Sequence, residues 1–271
     1  MIGPESSISQ SGAASAVATR RVVLIGASNL TKGIGTVLHT AYRAWGKPLE
    51  VLTALGHGRS YGMTNSVLGR RLPGILDCGL WSDLARNDVP TAALVTDIGN
   101  DLLYEAPVDT ICQWVERCFD RLIAARARTV VTLLPVGNLH TLSRARFTLL
   151  RSVLFPFSRL TLEQARERAL ELNERVKSLA VERHLGVIAQ RAEWYGFDPI
   201  HIKRSHRREA WRQILAAWTQ HGELPMAARS PLKHTLYLQS RVPAERRLWG
   251  MEQRAPQPSA RLNDGTTVSI Y

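Results

Sequence analysis

Arg21-Val22-Val23-Leu24-Ile25-Gly26-Ala27-Ser28-Asn29 is the stretch that decides the architecture of this 271-residue chain. Four aliphatic residues follow one another with no polar alternation, and a glycine closes the run. That is the pattern of a strand buried on both faces, as strands of a parallel sheet are. Beyond the turn, residues 31–45 read as a helix stopped by Gly46-Lys47-Pro48. Working outward, the same cadence repeats. Further strands are predicted at residues 49–54, 91–98, 128–134 and 186–190. Helices are predicted at residues 65–86, interrupted near Pro73-Gly74, and at 107–126, 162–184 and 203–220. Strand and helix alternate, so the fold class is α/β, a three-layer α/β/α sandwich around a central parallel sheet of about five strands.

Three segments stand outside this repeat. Residues 1–19 are rich in Ser, Ala and Gly and read as a disordered leader, without the basic start and apolar block of a secretion signal. Residues 20–222 form the expected domain, and residues 223–271 a C-terminal extension whose Asp264-Gly265 predicts a β-hairpin. Within the domain, residues 135–160 make a long connection too apolar for disorder. It interleaves Phe147, Leu150, Leu154, Phe155 and Phe157 with Arg144, Arg146, Arg151 and Arg159. Two readings fit it: a lid over an apolar pocket with a basic rim, or a helix packed on the core.

Composition narrows the function classes. With 45% hydrophobic and 21% charged residues, and no apolar stretch near the roughly 18 residues that span a bilayer, the chain reads as a soluble, cytoplasmic protein. Cys78, Cys112 and Cys118 lack metal-ligand spacing and are expected as free, buried thiols. The net charge of +12 invites a nucleic-acid reading. Only five of the 35 basic residues are lysine, and the arginines near Glu163, Glu167, Glu171 and Glu174 alternate with acids as a solvated helix face does. No basic module is present, so specific nucleic-acid binding is set aside in favour of attraction to anionic substrates or membrane surfaces.

Four short segments carry chemistry. Ser28 lies between the first strand and the first helix, where an open α/β sheet places reactive groups and where a helix N-terminus favours negative charge. Alone, Gly-x-Ser is also a helix N-cap pattern. Asp198-Pro199-Ile200-His201 falls after the last strand and before the last helix, and supplies a carboxylate and an imidazole three residues apart. Gly56-His57-Gly58-Arg59-Ser60 and Gly99-Asn100-Asp101 each follow a strand. Glycine permits close approach of a backbone N–H and asparagine adds an amide donor. His57 and Arg59 are candidate substrate-binding groups, Arg59 for a carboxylate or phosphate or for a structural ion pair. A competing motif overlaps the second segment: Gly58-Arg59-Ser60-Tyr61-Gly62 satisfies the Gly-x-Ser-x-Gly elbow of α/β-hydrolases, although only two strands precede it.

In order and spacing, the four segments resemble the blocks of the SGNH (GDSL-like) hydrolase superfamily, over residues 20–221. Ala27 departs from that family's usual Gly-Asp-Ser. The resemblance implies a flavodoxin-like sandwich and a Ser28/His201/Asp198 triad. It also implies oxyanion donors from Ser28, Gly58 and Asn100, and no metal or cofactor. The implied reaction is hydrolysis of a carboxylic ester, a thioester or an O-acetyl group through an acyl-enzyme, on a small-molecule or lipid-like substrate. An acyltransferase on the same site, an esterase using Ser60, and a non-catalytic basic binding protein are the alternatives.

Overall fold

The computed structural model describes residues 19–67, 69–139, 142–226 and 230–271. The leader expected over residues 1–19 therefore lies, apart from Thr19, outside the described residues. In chain order, β1 (Arg21–Ile25) leads into α1 (Ser28–Trp45) and β2 (Glu50–Ala54). A hairpin of β3 (Asn65–Val67) and β4 (Arg70–Leu72) follows, then α2 (Leu80–Leu84), β5 (Thr91–Val95), α3 (Asn100–Leu103), α4 (Val108–Ala124) and β6 (Arg128–Thr132). The second half runs α5 (Arg144–Leu154), α6 (Leu162–Glu182), β7 (Gly186–Ile188), α7 (Arg207–Leu215) and α8 (Leu232–Gln239). It ends in β8 (Glu245–Leu248), β9 (Met251–Arg254), β10 (Ala260–Arg261) and β11 (Thr267–Ile270).

The main sheet has seven strands in the order β10-β11-β2-β1-β5-β6-β7. All neighbours are parallel except β10 and β11. β1 is central, with Val22 paired to Val51 on one side and Ala92 on the other. Its alternate side chains enter two cores. Val23 and Ile25 pack with Ile111, Val115 and Phe119 of α4 and Leu172 and Val176 of α6. Val22 and Leu24 pack with Ile34 and Leu38 of α1, Trp211 and Ile214 of α7, and Leu238 of α8. The result is the expected three-layer sandwich, with every buried strand facing helices on both sides.

Two expectations change. The five-strand sheet gains β10 and β11 from residues 223–271, so the C-terminal segment is part of the main sheet and not a separate appendage. β11 pairs with β2, Val268 against Val51, and gives the otherwise open β2 edge its backbone partners. The Asp264-Gly265 signal does form the turn between these strands, with Gly265 at φ 84° and the Asp264 carboxylate accepting from Thr266 N.

Residues 65–86 are the second difference, because the expected helix is largely absent. Gly69 at φ 73° turns β3 into β4, and β8 and β9 complete a second, antiparallel sheet in the order β3-β4-β8-β9. The partner strand comes from more than 170 residues later, since Arg71 pairs with Arg247. Local pattern had no access to it. No helix among the described residues is long and apolar enough to cross a membrane, and all three cysteines are buried, free thiols.

Candidate active site

The first turn of α1 is built by close approach and by one carboxylate. A Cβ on Gly26 would stand 2.6 Å from Thr96 Cγ2, so the end of β1 admits only glycine against β5. Ala27 gives α1 no side-chain cap. Asp97, beyond the end of β5, takes that role. Its Oδ2 accepts from the N–H groups of Ala27 (2.9 Å), Asn29 (3.0 Å) and Leu30 (3.2 Å). These are donors a helix start otherwise leaves orphaned, and a carboxylate also suits the positive end of the helix dipole. The N–H of Ser28, between them, donates to nothing among the described residues. Asp97 holds this geometry at φ 60°, a left-handed conformation rare for a non-glycine residue.

Ser28 Oγ lies 2.9 Å from His201 Nε2, and His201 Nδ1 lies 2.5 Å from Asp198 Oδ2. The other oxygen of Asp198 accepts from the backbone N–H groups of Ile200 and His201, which folds the Asp198–His201 loop into a tight turn. Burial works to raise the Asp198 carboxyl, but the hydrogen bond and charge of His201 outweigh it and hold the group below the ordinary carboxylate value. Asn29 then locks the loop to the serine. Its Nδ2 donates to Ile200 O (2.9 Å) and to Asp97 Oδ1 (2.8 Å), and its Oδ1 accepts from Ile202 N (2.8 Å). The residue beside the serine thus grips the backbone on both sides of the histidine.

Asn100 opens α3 and is buried, and its Nδ2 reaches toward Arg59 O at 3.4 Å. Gly58 sits in the adjoining loop at φ 64°. Its carbonyl accepts from Asn65 Nδ2 and Tyr104 OH, each at 2.6 Å, while its N–H donates to nothing among the described residues. A side chain there would collide with the Tyr104 hydroxyl. His57 lies on the same loop within the field of His201. Burial, and then Arg70, Lys32 and His201, push its imidazole pKa below the ordinary value and favour the neutral ring.

Two candidates from the second segment do not belong to this cluster. Arg59 is fully buried, and its guanidinium donates to the carbonyls of Leu55 (3.2 Å), Pro73 (3.2 Å) and Tyr271. It ties the loop to the C-terminal strand and offers nothing to a substrate. Ser60 is also fully buried, and its Oγ accepts from the N–H groups of Gly62 and Met63. Ser60 thus stabilises its own turn, and no histidine bonds its hydroxyl among the described residues.

Ser28 and Asn100 stand at one end of a cavity of about 120 Å³. Its walls are apolar: Leu102 of α3, Leu134 after β6, Phe147 and Leu150 of α5, Phe155, and Ala169 of α6. The segment at residues 135–160 thus roofs a pocket and packs on α6 at once, through Leu142, Phe147, Leu162 and Ala165. Three of its arginines have partners, and Arg151 also lines the cavity. Arg144 pairs with Glu163, Arg146 donates to the carbonyls of Gly196 and Phe197, and Arg151 donates to Leu160 O.

Asp97 and Asn29 are the residues that the motif reading passed over. A charged residue closing the apolar run at residues 91–95, at the same sheet edge as Ser28, was the available signal.

No protein-family model matches the chain, and no curated protein matches it in sequence. Solved structures do resemble it. Over 73% of this chain and 97% of the other, it is similar to the psychrotrophic esterase EstA from Pseudoalteromonas sp., at 13% identity and a TM-score of 0.46. A carbohydrate acetylesterase family member from Sinorhizobium meliloti gives 15% identity and 0.46, over 72% of this chain and 95% of that one. The acetyl xylan esterase AlAXEase gives 11% and 0.46, over 70% and 96%. The resemblance to SGNH hydrolases rests on the chain's own four motif segments. Likeness of this degree carries no activity across, and the functional reading stands on the site's own geometry.

Proposed function

We propose that the protein is an SGNH-type serine hydrolase that cleaves carboxylic esters through an acyl-enzyme on Ser28. The observation that carries this reading is the hydrogen-bonded chain Asp198–His201–Ser28, joining residues 173 apart in sequence at the mouth of an apolar cavity. His201 Nε2 takes the Ser28 proton as Oγ attacks the ester carbonyl, and Asp198 holds the Nδ1–H tautomer and stabilises the imidazolium. The oxyanion meets three donors that have no strong partner of their own: the N–H of Ser28, the N–H of Gly58 and the amide of Asn100. The alcohol leaves with the proton that His201 returns. A water activated by the same nitrogen then attacks the acyl carbonyl and regenerates Ser28.

Labelling with a fluorophosphonate, followed by peptide mapping, tests the assignment. Stoichiometric modification of Ser28, lost in His201→Ala and accompanied by turnover of a short activated ester, is the expected result. Absence of both labelling and turnover in a folded protein would overturn it.

A further inference from the structure

One turn along α1 from Ser28, the helix borders a basic cleft. Lys32 follows Ser28 by four residues and Thr36 by eight, so the three share one helix face. Lys32 lies within the field of the Asp198 and Asp97 carboxylates. From there a cleft of about 850 Å³ runs between α1, the start of α7 and α8. Lys32, Arg204, Arg207 and Arg208 line it. Among the described residues Glu209 is its one carboxylate, and it is engaged with Arg212 and Gln213.

These cations are assembled against their own electrostatics. Partial burial is the main penalty on Arg207 and Lys32; Arg204 adds repulsion on Arg207, and Arg207 repels Lys32, which Asp198 and Asp97 attract. Arg207 and Arg208 also open α7, where the helix dipole disfavours positive charge, and His206 supplies no side-chain cap. Arg207 is braced by the carbonyls of Ile202 and Lys32, not by an acid. Lys32, Arg204 and Arg207 have no carboxylate within ion-pair distance among the described residues. Half-exposed positive charges held this close together attract an anion. Through Lys32 the cleft begins one helical turn from Ser28 and within the field of Asp198.

We propose that the Lys32/Arg204/Arg207 cleft is the leaving-group subsite, and that the alcohol of the preferred ester carries an oxyanion, a phosphate monoester or a carboxylate. This rests on the esterase reading above. The substrate is then two-sided, with an apolar acyl chain toward Leu134 and Phe147 and an anionic alcohol toward Lys32.

The test compares hexanoyl glycerol, hexanoyl glycerol 3-phosphate and hexanoyl 3-hydroxybutyrate as substrates of the full chain. At low ionic strength kcat/KM should favour the anionic esters over the neutral one by about tenfold or more, the effect of one charge-assisted hydrogen bond. The preference should shrink in 0.5 M salt, since partly exposed charges are screened. The ranking of the two anionic esters tells phosphate from carboxylate. Arg204→Ala, an exposed loop position, and Lys32→Ala should each lower the anionic-to-neutral ratio severalfold, whereas Arg43→Ala, on the exposed end of α1, should leave it unchanged. A wild-type ratio near one, or a ratio that ignores both cleft variants, overturns the proposal while the esterase reading survives on the neutral ester. If no ester is turned over, inorganic phosphate followed by NMR still decides the cleft. Binding that Arg204→Ala abolishes supports the anion site, and no binding removes it.

Discussion

Ser28 and Ser60 offer the chain two serines at glycine-rich turns, and their surroundings separate them. Ser28 faces an imidazole and a cavity, while Ser60 spends its hydroxyl on two backbone N–H groups. Ser28→Ala should therefore reduce turnover of a short ester by about 10⁴-fold or more with an unchanged melting temperature. Ser60→Ala should keep most of the rate and lose about 1–3 kcal/mol of stability, the cost of leaving buried donors unpaired; steady-state assays and thermal melts of the two variants check this, and the reverse pattern would return the site to Ser60. Asn29 has a different role, since its amide holds the loop of Asp198 and His201 to the start of α1. Asn29→Ala should lower kcat by about 10²-fold, as small misplacements of a reacting group do, with KM nearly unchanged. An equal rise in KM would make it a binding residue. Asp101, next to Asn100, supplies a pH signature. Burial raises its carboxyl from 3.8 to about 7, above its unfolded value. The stability it contributes is then fully present below pH 3.8 and is lost as pH rises toward 7, at about 1.4 kcal/mol per pH unit. Asp101→Asn should remove that slope in denaturation measured from pH 4 to 8, and an unchanged slope would mean the group is ionised throughout. Ser28, Asp198, His201 and Asn100 were legible as residues because each sits in a short motif at a strand end. Asp97 and Asn29 were not, because their work is done on backbone N–H and C=O groups, which sequence does not display.

At the scale of elements, α5 does what two competing readings of residues 135–160 asked separately. Phe147 is buried against Leu162 and Ala165 of α6, and Leu150 turns toward the cavity. If the acyl chain lies along this helix, each added methylene should bring roughly 0.8 kcal/mol, so kcat/KM should climb several-fold per carbon over short chains before levelling off. Leu150→Trp, at a half-buried position in the cavity wall, should take up part of the cavity. Hexanoyl esters should then lose about tenfold or more against acetyl esters. A chain-length profile identical in the wild type and the variant would place the acyl group elsewhere. The helix itself was legible only as apolar content between prolines. Its orientation depends on α6, and its arginines are drawn to Glu163 and to carbonyls that no local pattern identifies.

At the scale of the whole molecule, the chain closes on itself through its last strand. β2 is buried along Val51, Leu52, Thr53 and Ala54, and without β11 it would present a row of unpaired backbone groups at the sheet edge. The alternation of strands and helices could be read directly, because each βα unit announces itself within about 30 residues. The pairing of β11 with β2, and of β8 with β4, could not, because it joins segments about 170 to 220 residues apart and is chosen by complementarity of edges. Arg59 fastens the same closure from inside, donating to Tyr271 O from the loop that carries Gly58. The C-terminal strand is thereby coupled to the loop that carries Gly58 as well as to the core. Val268, 1% exposed among Val22, Leu24 and Val51, is the place to test this. Val268→Asp places an unpaired carboxylate in that core and should cost more than about 3 kcal/mol. Its melting transition should fall as a single cooperative step, with ester turnover lost along the same curve. If the segment were instead an independent appendage, the variant would leave the main transition and the activity where they were and abolish at most a minor, separate one.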